Sequence, residues 1–285
     1  MVKNTLLSHW KYPLVLSMDF FSVSNSKQVY FSQGNLQYIG SSSKPYWKFA
    51  ENQWDYLGTS TGQNSSYQDV DRDLFGWGTS GWNNGNVYYY PWNYEKLENQ
   101  YQGFGYGPTD GISYEFDLNG TYSNSDWGIY NSIQNGGNVM NAWRTLTINE
   151  WQYLIDIRNT ASNIRFAKAM VENVPGVILL PDDWMQSIYA LNNTNQGEVG
   201  YDCNVIEASQ WVILENAGAV FLPAAGSRSS NTDYGCYSRG YYWSINHEGP
   251  YGCARKLEFD NDKVSTNYAG AMRFGGRSVR LVQDY

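Results

Sequence analysis

Near the C-terminus stand His247 and Cys253, the chain's candidates for proton transfer and nucleophilic attack. A general base needs a nucleophile and an orienting partner within reach. No motif around His247 supplies them, so an exposed, non-catalytic position is expected there. Cys253 has no closely spaced cysteine partner in the tail and reads as a buried or incidental thiol. Asp71 with Asp73, and Asp182 with Asp183, offer the oxygen ligands that Ca²⁺ favours, without a spaced calcium loop around them. Nor do they have the spacing or partners of a glycosidase pair. They are expected in solvated turns or at helix starts. The expectation is therefore no catalytic residue, no metal and no cofactor.

The chemistry these residues do fit is recognition. Between Gly226 and Val282 two framework stretches, Gly240-Tyr241-Tyr242-Trp243-Ser244 and Gly275-Gly276-Arg277-Ser278-Val279-Arg280-Leu281-Val282, enclose a set with neither helical nor strand period. That set is Asn246, His247, Gly249, Tyr251, Gly252, Cys253, Arg255, Asn261, Asn267, Tyr268, Gly270 and Phe274. Tyrosine supplies contact area with few rotors, and Ser, Gly and Asn supply adaptable hydrogen bonds, which suits a binding surface. Trp243, a large ring inside a framework stretch, reads as core packing. Tyr251, Tyr268 and Phe274 are open to either surface recognition or packing.

Elements that could hold such a surface follow from composition and punctuation. In 285 residues, charged side chains make up 16% and aromatic ones 17%, with 28 Gly. That balance favours short strands and tight turns over long amphipathic helices. Up to residue 140 the chain alternates aromatic segments, such as Val29-Tyr30-Phe31, Tyr46-Trp47-Lys48-Phe49 and Tyr88-Tyr89-Tyr90, with turn residues. The Gly- and Trp-rich stretch from Gly76 to Gly85 is too aromatic for a disordered linker and is expected to pack on the body. Two helices are expected. One follows Thr147, with Glu150 completing a capping box and Trp151, Leu154 and Ile155 on one face; the other starts near Ser209, carries Trp211 and Leu214, and stops at Gly218. Gly176-Val177-Ile178-Leu179-Leu180-Pro181 and Gly218-Ala219-Val220-Phe221-Leu222-Pro223 read as buried strands ending at prolines. Residues 1–140 thus form an aromatic-rich part packed on the same body, and 141–285 the body with its C-terminal segment at about 227–282.

Net charge is −8 and the isoelectric point lies near 4.8. A phosphate-backbone binder needs a basic stripe, so nucleic acid is excluded as an expected partner. Residues 227–285 hold eight Lys or Arg and six Asp or Glu, net +2, which reads as a solvated surface of mixed sign. Cys203, Cys236 and Cys253 have no zinc spacing and read as free thiols or one pair. No apolar run approaches the roughly 18 residues of a membrane span, so no membrane insertion is expected, and no signal-peptide core is visible.

Phe21-Ser22-Val23-Ser24, Val29 to Tyr38, Phe49-Ala50-Glu51-Asn52-Gln53-Trp54-Asp55-Tyr56, Asp73-Leu74-Phe75-Gly76-Trp77-Gly78, Val177 to Pro181 and the Gly240 to Val282 tail resemble, over nearly the whole chain, a family from gut Bacteroidetes and their phages. Its members have a C-type-lectin fold, distantly similar to formylglycine-generating enzymes, and several are variable proteins of diversity-generating retroelements. The resemblance implies an α+β, β-rich fold with two main helices and long ordered loops. It also implies adenine-directed variation, in which an Asn codon yields Asn, Tyr, Asp, His, Ser, Gly, Cys, Arg or Phe. Asn246, His247, Tyr251, Gly252, Cys253, Arg255, Asn261, Asn267, Tyr268, Gly270 and Phe274 fit that palette; Lys256, Glu258 and Met272 do not and read as framework. The implied function is binding of a protein or glycan receptor on a cell surface, from a phage virion or a bacterial surface. A carbohydrate-binding adhesin without variation is the alternative. An oxidase of the formylglycine-generating type is disfavoured because Cys253 lacks a partner thiol.

Overall fold

The computed structural model describes residues 19–58, 71–82, 116–229, 232–249, 252–273 and 275–285. In chain order these form β1 (Phe21–Ser24), β2 (Lys27–Phe31), β3 (Leu36–Ile39), β4 (Tyr46–Phe49), α1 (Trp127–Tyr130), β5 (Arg144–Thr145), α2 (Ile148–Gln152), β6 (Phe166–Val171), β7 (Val174–Leu179), β8 (Val205–Ile206) and α3 (Ala208–Asn216). The remainder is β9 (Val220–Pro223), β10 (Ser227–Ser229), β11 (Thr232–Tyr234), β12 (Gly240–Glu248), β13 (Cys253–Asp260), β14 (Lys263–Ser265), β15 (Ala271–Met272) and β16 (Leu281–Asp284). The architecture is β-rich with few helices, in agreement with the α+β expectation.

Three larger sheets carry the structure: β1-β2-β16-β5, β8-β6-β7-β9 and β12-β13-β14, with β15 also pairing with β13. Strand β16 runs antiparallel to β2, pairing Val282 with Phe31. Phe21, Phe31, Trp151, Val177, Leu222, Tyr242, Leu257 and Phe259 fill one core between these sheets. A second core joins Trp47, Phe75, Trp77, Trp127 and Trp143 to Trp243 and Val279. Described residues before 140 therefore share a sheet and a core with those after it. Trp77 is fully buried, as the packed-loop reading of its segment expects; residues 83–85 of that stretch, and Tyr88 to Tyr90, lie outside the described residues.

The capping box forms as the sequence indicates. Thr147 Oγ1 accepts from the Glu150 amide at 3.1 Å, while the Glu150 carboxylate accepts from the Thr147 amide at 2.8 Å. Such a cap contributes about 1 kcal/mol. Glu150 also receives Arg144, which reaches Asp284 of β16, so the cap ties α2 to the first sheet. Helix α3 buries Trp211 and Leu214 and gives way to Gly218 at φ +84°. The two apolar runs are neighbours: β7 pairs with β9, Gly176 opposite Pro223. A Cβ on Gly176 would come within 2.4 Å of the Leu222 carbonyl oxygen, so glycine is what allows the approach.

Two expectations are corrected. The mixed-sign charges of the tail are only partly a solvated surface: Arg239, Asp262 and Asp284 are exposed, but Arg228, Lys256, Glu258, Arg273 and Arg280 are buried. Arg280 Nη2 donates to Gln53 Oε1 at 2.6 Å and its Nη1 to Asn35 Oδ1 at 3.3 Å, and burial lowers this guanidinium to about 10. Asp73 is not in a solvated turn. It is buried, accepts from the Leu57 amide, and desolvation raises its carboxyl to about 6. Asp182 is half-buried and bound by Ser22 and Arg158, whereas Asp183 is exposed. Asp71 accepts from Ser41.

Candidate functional site

The β12–β13 hairpin organises the tail. Tyr242 lies opposite Leu257 and Trp243 opposite Lys256, but the next pairs are His247 with Ala254 and Glu248 with Cys253, so the register slips between Trp243 and His247. Here β12 bulges, and a bulge leaves backbone groups unpaired and redirects side chains. The freed Ile245 amide donates to Leu146 O at 3.0 Å, and Ile245 O accepts from the Leu118 amide at 2.9 Å. Trp243 behaves as core: fully buried, with Nε1 donating to Phe75 O at 2.8 Å.

Beyond the bulge, Asn246 and His247 converge on one carboxylate. Asn246 Nδ2 donates to Asp117 Oδ2 at 2.8 Å, and its Oδ1 accepts from the Ile148 amide at 2.7 Å, at the start of α2. The His247 amide donates to Asp117 Oδ1 at 2.9 Å, and its Nδ1 lies 2.7 Å from the same oxygen. The expectation of an exposed His247 is corrected: its side chain is 30% exposed and held by Asp117. A carboxylate on Nδ1 orients an imidazole, and no described nucleophile is bonded to this ring.

On the other face of the hairpin, Arg255 Nη1 meets Glu248 Oε2 at 2.6 Å and Nη2 donates to Thr266 O at 3.2 Å. Cys253 Sγ lies 3.9 Å from Met272 Sδ, across from β15. Burial raises the Cys253 thiol, and none of the three cysteines is in a disulfide. Met272, expected as framework, is 40% exposed. Lys256 and Glu258 do behave as framework, forming a buried pair at 2.6 Å that Lys263 joins.

The sheet's outer end carries the remaining candidates. Asn261 and Asn267 are exposed, and the 46%-exposed Tyr268 ring has the Lys263 ammonium 3.4 Å from its centroid. Between the β13–β14 turn and the preceding loop opens a cleft of about 350 Å³, lined by Gln196, Gly197, Glu198, Asp262, Lys263 and Val264.

Two candidates are glycines with structural work to do. Gly252 sits at φ +68°, in the left-handed region that favours glycine, and is buried. A Cβ on Gly270 would come within 2.4 Å of Glu248 Cβ and 3.0 Å of Cys253 Cβ. Tyr251 and Phe274 lie outside the described residues.

The candidates thus divide. Asn261, Asn267 and Tyr268 are exposed side chains in the β13–β14 turn and after β14, half-buried Arg255 is held by Glu248 and Thr266, His247 and Asn246 belong to the Asp117 cross-link, and Gly252 and Gly270 hold backbone geometry. Asp117, Glu248 and Thr266 went unremarked in the sequence because each acts through a partner set by the hairpin. Among the described residues no group of three or more His, Cys, Asp or Glu could hold a metal ion, and no helix is long and apolar enough to cross a membrane. No protein-family model matches the chain, and neither a curated protein nor a solved structure does.

Proposed function

We propose that this protein binds a protein or glycan receptor on a cell surface, through a C-terminal surface carried on a C-type-lectin-like scaffold, and performs no chemistry itself. One observation supports the reading above the others. The β13–β14 turn and the segment after β14 present Asn261, Asn267 and Tyr268 to solvent, while strands β12 and β13 send Tyr242, Trp243, Leu257 and Phe259 into two cores. Those exposed side chains can change without touching the packing beneath them, which is what a rigid frame with an adaptable surface requires. Hydrogen-bonding Asn and an aromatic ring are groups that such surfaces use.

In this reading the exposed positions are diversified by a retroelement, and the protein is carried on a phage virion or a bacterial cell surface. The test is genomic: a nearby near-copy of the DNA encoding Gly240 to Val282, differing at adenines and lying beside a reverse transcriptase gene. Its absence rejects diversification and leaves receptor binding to be judged by itself.

A carbohydrate-binding adhesin is the second reading, favoured by the exposed rings of Tyr234, Tyr237 and Tyr268, which offer faces on which a sugar can stack. Screening the purified protein on a glycan array separates a sugar ligand from a protein one: saturable binding to a defined sugar supports the adhesin or a glycan receptor, and its absence supports a protein receptor.

A further inference from the structure

Lys168 occupies the middle of β6 with 0% exposure, flanked by the buried Ala167 and Ala169. Its ammonium donates to three backbone carbonyls: Gly197 O, Val199 O at 2.8 Å, and Asp260 O. The Tyr201 ring lies 5.3 Å from Nζ. Three donors thus meet three acceptors, the full capacity of an ammonium group.

Removing such a charge from water costs several kcal/mol, which an apolar residue in the same strand would avoid. What the charge supplies is a junction. Two acceptors belong to the 197–199 segment and the third ends β13, where the turn to β14 begins. Those two segments face each other across the cleft lined by Glu198, Asp262 and Lys263. Burial lowers the ammonium to about 8, opposed by Asp260, Asp262 and Cys203.

We propose that Lys168 is the positioning residue of this cleft: an internal cation that clamps the 197–199 segment to the β13–β14 turn and so fixes the spacing of Glu198 from Asp262 and Lys263. That the cleft belongs to a binding surface rests on the function proposed above; the clamp does not.

Amide hydrogen exchange on the full chain tests it. In Lys168→Met, exchange in peptides covering 196–200 and 260–264 should rise by roughly ten-fold or more, the factor that loss of about 1.4 kcal/mol of local stability gives, with β7 and α3 unchanged. In Lys168→Ala, added propylammonium, which restores the missing stem and its donors, should return protection to both segments; tetramethylammonium, with no N–H, should not. Unchanged exchange in a folded variant, a uniform rise across the chain, or equal rescue by both cations would overturn the clamp. Should neither variant fold, the Lys168 Nζ signal of the wild-type protein decides: slow proton exchange supports the clamp, and rapid exchange with water overturns it. Failure of the receptor-binding reading would leave these results untouched.

Discussion

The Asn246 amide nitrogen donates to the Asp117 carboxylate at 2.8 Å, and the Asn246 carbonyl oxygen takes the Ile148 amide at the first turn of α2. A residue with the composition of a recognition position is thereby a cross-link between three parts of the chain. Leaving those partners unsatisfied costs about 1–3 kcal/mol. Asn246→Ala should lower unfolding stability by that amount in urea titrations, whereas Asn267→Ala, at an exposed position, should stay within about 0.5 kcal/mol.

Gly270 makes a sharper case. Any side chain there drives a Cβ into Glu248 and Cys253, atoms that move only with their backbones. Overpacking of this kind costs about 1–3 kcal/mol. Gly270→Ser should therefore destabilise in thermal unfolding, while Tyr268→Ser should leave the transition nearly in place.

Asp73 sets a pH dependence. Its folded carboxyl is raised to about 6 by burial, above an unfolded value near 3.9. Protonation therefore favours the fold: the contribution is complete below the unfolded value and is lost as pH rises through about 6. Between pH 7 and pH 5 the wild-type protein should gain about 1 kcal/mol from this group. Asp73→Asn keeps an acceptor for Leu57 but cannot titrate, so its stability difference from wild type should shift by that amount between the two pH values in urea unfolding. Equal differences at both would reject the assignment.

Cys253 should be inert. Its thiol is raised by burial, which lowers the thiolate fraction at neutral pH. Alkylation by iodoacetamide should run slower than for a free cysteine, and a cysteine-containing peptide should not be turned over. Turnover abolished by Cys253→Ser would restore the oxidase alternative.

Local signals in the sequence carried much of the fold. The Thr147 and Glu150 box, the Gly218 stop and the two apolar runs depend on neighbours a few residues away; the box and the stop appear where expected, and of the runs β9 ends at Pro223 while β7 ends at Leu179, short of Pro181. Trp243 was legible because a large ring in a regular stretch has little alternative to the core. The site was less legible because its bonds are distant: His247 and Asp117 are 130 residues apart. Neither the slip between Trp243 and His247 nor the crowding at Gly270 exists without the partner strand. Lys168 did carry a signal, a charge inside the apolar run from Phe166 to Val171, but its three carbonyls are set by tertiary structure.

The most direct test of the account replaces the exposed Asn261, Asn267 and Tyr268 together and follows both folding and binding of fluorescent protein to receptor-bearing cells. Receptor recognition on an independent frame predicts an unfolding midpoint within a few degrees of wild type, because substitutions at exposed positions are usually worth no more than about 0.5 kcal/mol each, together with loss or redirection of cell binding. Unchanged binding by the folded variant, or collapse of the fold, would contradict it.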